Sequence, residues 1–211
     1  MVCLKEGNIP LKSVIFDLAN VLIEYDPGAM MLKLGIAPER VDRLLEITAF
    51  RPEWDEWDRG FETKESIRAL AKADEPDFAD DIDLYLSRWE EQFVPIPWNV
   101  ETFYQLKKAG VKVYILSNWM QDCYEDWVID HNPFIKDADG VMISYEVLLN
   151  KPDPAIFRLL LDRYQIDPKT AVFFDDREQN IASARSVGLN ACRILDNGPV
   201  LPFLDFQGQE E

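Results

Sequence analysis

Five short runs along the chain are apolar at nearly every position and are bounded by turn-forming residues. They are Ser13–Phe16, Val111–Leu116, Val141–Ile143, Ala171–Phe174 and Ala191–Ile194. Their length and their β-branched and aromatic content predict buried strands. The segments between the later runs follow a different rhythm. Across Ala155–Tyr164 the apolar residues Ile156, Phe157, Leu160, Leu161 and Tyr164 recur every three to four positions, which lines them along one helical face. Asn180–Val187 does the same with Ile181, Ala184 and Val187, and Gly188 supplies a stop. Strands alternating with such helices predict an α/β fold, a doubly wound parallel sheet with helices on both faces.

The interval from Asp17 to Gly110 breaks the alternation and is far longer than one crossover needs. Amphipathic spacing predicts helices over Pro27–Leu34, Pro38–Ile47, Thr63–Lys72 and Phe78–Trp89. Pro95 and Pro97 then punctuate, and Trp98–Lys108 reads as a helix returning to the sheet. The simplest organisation is a core made of residues 1–24 and 95–211, with a helical insert over 25–94. The tail after Pro202, ending Gln207–Glu211, is expected to be loose.

With 47% apolar and 12% aromatic residues, the 211-residue chain can bury a sizeable core. Charge narrows the partners more sharply. Twenty-two Lys and Arg against thirty-nine Asp and Glu leave −17, which argues against nucleic acid or an anionic membrane surface as partner. A small anionic substrate is compatible, provided one local site reverses the sign. Cys3, Cys123 and Cys192 are odd in number and widely spaced, so neither a disulfide framework nor a zinc site is predicted. The N-terminus lacks the apolar stretch of a signal peptide, and no run approaches a membrane span. The expected setting is the cytoplasm. Oligomeric state is left open.

In open parallel sheets, ligands bind at the carboxyl ends of the strands. Here those ends are loaded: the first strand runs into Asp17, the second into Ser117 and Asn118, the fourth into Asp175 and Asp176. Lys151 opens a Lys-Pro-Asp-Pro run just before a helix. Adjacent carboxylates repel unless something positive lies between them. Carboxylates, a hydroxyl, an amide and one ammonium together suit a phosphate and a hard cation.

Four segments, Val14–Leu22 (VIFDLANVL), Ile115–Asn118 (ILSN), Lys151–Phe157 (KPDPAIF) and Val172–Asp176 (VFFDD), resemble the ordered motifs of the haloacid dehalogenase-like hydrolase superfamily. Trp57–Thr63 (WDRGFET) resembles the cap segment of the subgroup whose helical cap follows the first strand of a Rossmann-like core. The first motif is similar to the bacterial α-glucose-1-phosphate phosphatase type. The resemblance implies an Mg²⁺-dependent phosphatase acting on a small phosphorylated substrate, such as a sugar phosphate. Asp17 would be the nucleophile and form an aspartyl-phosphate. Mg²⁺ would be held by Asp17, the Ala19 carbonyl and Asp176, with Asp175 acting through water or from behind. Ser117, Asn118 and Lys151 would grip the phosphoryl group. A phosphate dianion plus three carboxylates carries a charge of about −5, which Lys151 alone cannot offset.

One position departs from the pattern. Phosphatases of this superfamily usually carry a second Asp two residues after the nucleophile, as general acid and base. Ala19 stands there and can move no proton. The enzyme is then expected either to favour good leaving groups, such as anomeric or acyl phosphates, or to borrow a proton carrier such as Glu24 or Asp26. Ala19 also keeps open a 2-haloacid dehalogenase using the same Asp without metal, although the Asp175–Asp176 pair disfavours a carboxylate substrate. A silent ligand-binding member is the third reading. His131 is expected in a turn and outside catalysis; Trp54 and Trp57 are expected in the core of the cap. Trp119 could line the pocket mouth or pack under the cap, and Gly28 and Gly35 are read as turns.

Overall fold

The computed structural model describes residues 1–207; Gly208–Glu211, the end of the tail read as loose, lie outside the described residues. The strands are, in chain order, β1 (Val2–Leu4), β2 (Ile9–Pro10), β3 (Ser13–Phe16), β4 (Lys112–Ser117), β5 (Gly140–Ile143), β6 (Ala171–Asp175), β7 (Asn190–Arg193) and β8 (Leu204–Phe206). β5-β4-β3-β6-β7 form one sheet, parallel throughout. Its five strands are the five apolar runs of the sequence, each within one or two residues of its expected bounds.

Side-chain alternation along these strands builds two cores. Val14, Phe16, Val113, Ile115, Val172 and Phe174 face one side, while Ile15, Tyr114, Leu116 and Phe173 face the other. The helices between β3 and β4 are α1 (Pro27–Lys33), α2 (Pro38–Ile47), α3 (Pro52–Asp58), α4 (Lys64–Asp74) and α5 (Ala79–Arg88); α6 (Pro97–Lys108) leads back to β4. Beyond it come the short α7 (Gln121–Cys123), α8 (Ile129–His131) and α9 (Ser144–Val147), then α10 (Pro154–Tyr164) and α11 (Glu178–Ser186). Ile156, Phe157, Leu160, Ile181 and Ala184 of α10 and α11 cover the second face of the sheet. The first face is continuous with Met30, Leu44, Trp57, Ile67 and Leu86 of α1–α5.

Local chemistry explains where these helices start. Proline opens α1, α2, α3, α6 and α10, at the one helical position where a missing N–H costs nothing. Asp26 caps α1 by accepting from the Ala29 N–H at 2.9 Å. Thr63 and Ser66 form a reciprocal capping box on α4. Where the chain leaves the sheet for α1 it runs beside its own return: the Glu24 N–H donates to the Val94 carbonyl and the Ile96 N–H to the Leu22 carbonyl.

Several expectations need correction. Leu204–Phe206 of the tail is not loose: it pairs antiparallel with β1, which also pairs with β2, in a small second sheet. Strands of two and three residues carry too few alternations to show as a period, and their partners lie at opposite ends of the chain. α3 was absent from the helices that amphipathic spacing delimited, although Trp54 and Trp57 were expected on a helix. Gly28 lies inside α1, facing Val41 and Leu45 of α2 rather than marking a turn; Gly35 does turn, at φ 90°. His131 ends α8 rather than occupying a turn, with its ring stacked on Trp127. Because Leu204 is 3% exposed and packs into the first core, Leu204→Ala is expected to cost about 2–4 kcal/mol in urea denaturation. A cost within the range of a surface substitution, about 0.5 kcal/mol or less, would show that the small sheet does not contribute to the fold.

Candidate active site

Register sets the site. Phe16 lies level with Ile115 on β4 and Phe174 on β6, so the next residues, Asp17, Leu116 and Asp175, come level at the carboxyl edge of the sheet, Asp17 just past the end of β3 and the other two still paired. The Asp17 N–H still donates to the Phe174 carbonyl, extending the ladder by one bond and holding the Asp17 backbone against β6. Its side chain turns into the crevice and is nearly fully buried. Oδ1 accepts from the Leu18 N–H at 2.7 Å, the Ser117 hydroxyl at 2.7 Å and the Lys151 ammonium at 2.8 Å. Oδ2 accepts no hydrogen bond among the described residues.

Lys151 is the electrostatic centre. Its ammonium bridges Asp17 and Asp175, each at 2.8 Å, and donates to the Leu116 carbonyl at 3.1 Å. Asn118 holds the lysine from behind: its amide donates to the Lys151 carbonyl at 2.9 Å and accepts from the Lys151 N–H at 2.8 Å. The Asn118 side chain thus ties the Lys151 backbone to the tip of β4, while the residue also borders the cavity. Asp175 is fully buried and saturated, accepting from Lys151, the Arg177 N–H and Asn180. Asp176 is less buried and accepts from the Asn20 amide at 3.1 Å. Asn20 reaches it from a left-handed backbone conformation, φ 58°, three residues after Asp17.

One oxygen from each of Asp17, Asp175 and Asp176 can be chosen so that all lie within 4.8 Å of one another. Three carboxylates around one ammonium cannot all ionise freely. Burial raises the Asp17 carboxyl from 3.8 to about 7, with Asp175 and Asp176 adding to the rise and Lys151 opposing it. Asp176 is also raised, by burial first and then by the charge of Asp175. Burial would raise Asp175 too, but Lys151 and its other donors hold it below the usual carboxylate range. Burial disfavours the Lys151 ammonium, yet the two facing carboxylates outweigh that and keep it charged. The surplus is negative, and it sits where Asp17 Oδ2 and Asp176 border open space. An oxygen-rich, electron-rich notch of this kind fits a small hard cation.

The notch forms the floor of a cavity of about 700 Å³. Asp17, Ala19, Asn20, Ser117, Asn118, Lys151 and Asp176 line its core side. Tyr25, Trp54, Trp89 and Trp119 give it an aromatic wall, and Phe50 stands exposed at its rim. Trp119 answers both readings made for it, since it borders the cavity and also packs edge-on against Phe93. Trp54 and Trp57 are buried against each other, ring centroids 5.0 Å apart, with Trp54 also reaching the wall. Glu24 and Asp26 do not line it. Asn20 and Asn180, which orient two of the carboxylates, were not singled out from sequence. The available signal was their spacing: three residues after Asp17, and five after Asp175 in the first turn of a helix.

The profile described as haloacid dehalogenase-like hydrolase matches residues 11–188. "Drimenol cyclase drtB" of Aspergillus calidoustus is 26% identical over 191 residues, covering 86% of this chain and 33% of that protein. "(S)-2-haloacid dehalogenase 4A" of Burkholderia cepacia is 28% identical over 102 residues, covering 48% of this chain and 44% of that protein. The chain thus spans less than half the length of these curated relatives. Among solved structures, a haloacid dehalogenase family enzyme from Bacteroides thetaiotaomicron, in complex with magnesium and inorganic phosphate, superposes with a TM-score of 0.71. Its sequence identity is 22%, with 91% of this chain and 98% of that one covered. By the extent of the profile match, the chain belongs to the haloacid dehalogenase-like hydrolase family.

Proposed function

We propose that this hydrolase is an Mg²⁺-dependent phosphatase that cleaves a small phosphorylated metabolite through an aspartyl-phosphate on Asp17. The observation that carries the reading is the Asp17–Lys151–Asp175 bridge beside Asp176, opening onto a cavity large enough for a small metabolite. In this scheme residues 25–94 act as a cap over a core of residues 1–24 and 95–211. The magnesium and inorganic phosphate held by the fold-sharing enzyme from B. thetaiotaomicron agree with the chemistry of the donor set.

Each residue then has a task. The Ser117 hydroxyl and the Leu18 N–H hold the Asp17 carboxylate through Oδ1, which orients it to attack phosphorus. Lys151, held charged, draws the phosphoryl oxygens toward the floor. Asp17, the Ala19 carbonyl and Asp176 would hold Mg²⁺, with Asp175 orienting Lys151 and the turn into α11. When bound, the cation offsets the surplus negative charge that otherwise repels a phosphate dianion. The cap excludes bulk water.

A phosphate-release screen over anomeric, acyl and primary-alcohol phosphates tests this, run with Mg²⁺ and with chelator. Release is expected only with the cation, and fastest from the anomeric and acyl esters. The similarity to a 2-haloacid dehalogenase supplies the competing outcome: chelator-insensitive halide release from a 2-haloacid, without phosphate release, would overturn the phosphatase reading.

A further inference from the structure

We propose that Asp58, at the end of α3, is the catalytic residue that protonates the leaving group, the task Ala19 cannot perform; the proposal rests on the phosphatase reading above. Elimination is the first argument. The carboxylates in the cavity wall are Asp17, Asp55, Asp58 and Asp176. Asp17 and Asp176 belong to the floor, and Asp55 is exposed to solvent while Asp58 is half-buried. Of the carriers suggested by sequence, Asp26 is occupied in capping α1 and neither it nor Glu24 borders the cavity.

Placement is the second. Two bonds clamp the end of α3 onto the core. Asn150 Nδ2 donates to the Asp55 carbonyl at 2.8 Å, and Asn150 is the neighbour of Lys151. The Ser144 hydroxyl donates to the Asp58 carbonyl at 2.5 Å and accepts from the Trp119 N–H at 2.9 Å. Trp119 lies two residues past Ser117, whose hydroxyl touches Asp17. Asp58 is thereby fixed in the wall that faces the nucleophile from the α1–α5 side. Its carboxyl accepts no hydrogen bond among the described residues, so its oxygens remain available to a ligand.

The charged groups around it are Asp55 on its own helix, and Arg177, Lys151 and Asp17 across the cavity. Burial, reinforced by Asp55, raises the Asp58 carboxyl to about 8 against the pull of Arg177 and Lys151. A neutral carboxylic acid at neutral pH can donate where an ordinary surface Asp could not. In the first step an Asp17 oxygen bonds to phosphorus while the phosphorus–ester oxygen bond breaks. The ester oxygen keeps the bonding pair, takes the Asp58 proton and departs as an alcohol. In the second step the Asp58 carboxylate accepts a proton from the water that attacks phosphorus, which frees Asp17 and inorganic phosphate and restores the acid.

The test compares the wild type with Asp58→Asn, Asp58→Ser and Asp58→Glu on two esters in the presence of Mg²⁺. One is a nitrophenyl phosphate, whose leaving group needs no proton; the other is a simple alkyl phosphate. Asn and Ser are expected to lower kcat on the alkyl ester by about 10²–10⁴-fold, far more than on the aryl ester, and to remove the alkaline limb of the alkyl pH profile. Glu is expected to recover part of the loss. Equal losses on both esters in variants that keep the wild-type circular dichroism, or undiminished alkyl turnover, would overturn the role of Asp58. Wild-type protein that releases no phosphate from either ester would instead sink the phosphatase reading, and the role of Asp58 with it.

Discussion

Asp17→Asn is expected to lower phosphate release by at least about 10⁴-fold while leaving the fold intact. The amide can keep all three interactions that orient Oδ1, with the Leu18 N–H, Ser117 and Lys151, but its nitrogen cannot attack phosphorus. The same variant reads out the electrostatics of the notch. The Asp17 carboxyl binds its proton more tightly folded than unfolded, so it supports the fold below about pH 4. That support is lost as pH rises through about 7. Without cation and above that pH, Asp17→Asn should therefore melt several degrees higher than the wild type, because a buried charge has been removed. Mg²⁺ should raise the wild-type Tm in the same range and raise that of the variant much less. Thermal melts with cation and with chelator check both statements. A variant that retains turnover, or gains as much from Mg²⁺ as the wild type, would remove Asp17 from the chemistry.

What the sequence made legible, and what it did not, divides along the range of the interactions involved. The five strands of the parallel sheet were visible because each is buried on both faces and reads as an unbroken apolar run, such as Val172–Phe174 before Asp175. The chemical groups at their tips were visible because register is set by those same runs: once Phe16 pairs with Ile115 and Phe174, Asp17, Ser117 and Asp175 must share an edge. The small sheet was hidden, since Val2–Leu4 and Leu204–Phe206 are too short to show a period and meet only through the closed fold. Asn118 illustrates a subtler gap. The sequence placed it at the right tip, yet its amide serves the Lys151 backbone, a pairing between residues far apart in the chain. Asp58 shows the same limit from the other side. Nothing local separates it from Asp55, three residues earlier; that Asp58 is half-buried and Asp55 exposed emerges only where α3 docks on the core through Ser144 and Asn150.

Lys151→Met should produce the largest loss of stability among single changes at the site, together with a loss of turnover of about 10²–10³-fold. The side chain is 3% exposed, and its ammonium is the cation that Asp17 and Asp175 share. Methionine fills much of the same volume, so the cost is electrostatic and not a cavity. Two carboxylates remain buried and facing each other, at about 3–5 kcal/mol for breaking a buried pair from one side. At about 2–4 °C per kcal/mol for a chain of this size, that is a fall in Tm on the order of 10 °C. The penalty should shrink as pH falls, since the stranded carboxyls can then take up protons. Adding Asp175→Asn to Lys151→Met should restore a good part of the lost stability, because one of the two repelling charges is gone, and none of the activity. Such recovery would separate the two roles proposed for the lysine, neutralising the buried floor and drawing in a phosphoryl group, as a coupling in a double-mutant cycle. If Lys151→Met instead unfolds no more readily than the wild type at neutral pH, the ammonium is not balancing the floor, and the electrostatic case for a cation in the notch fails with it.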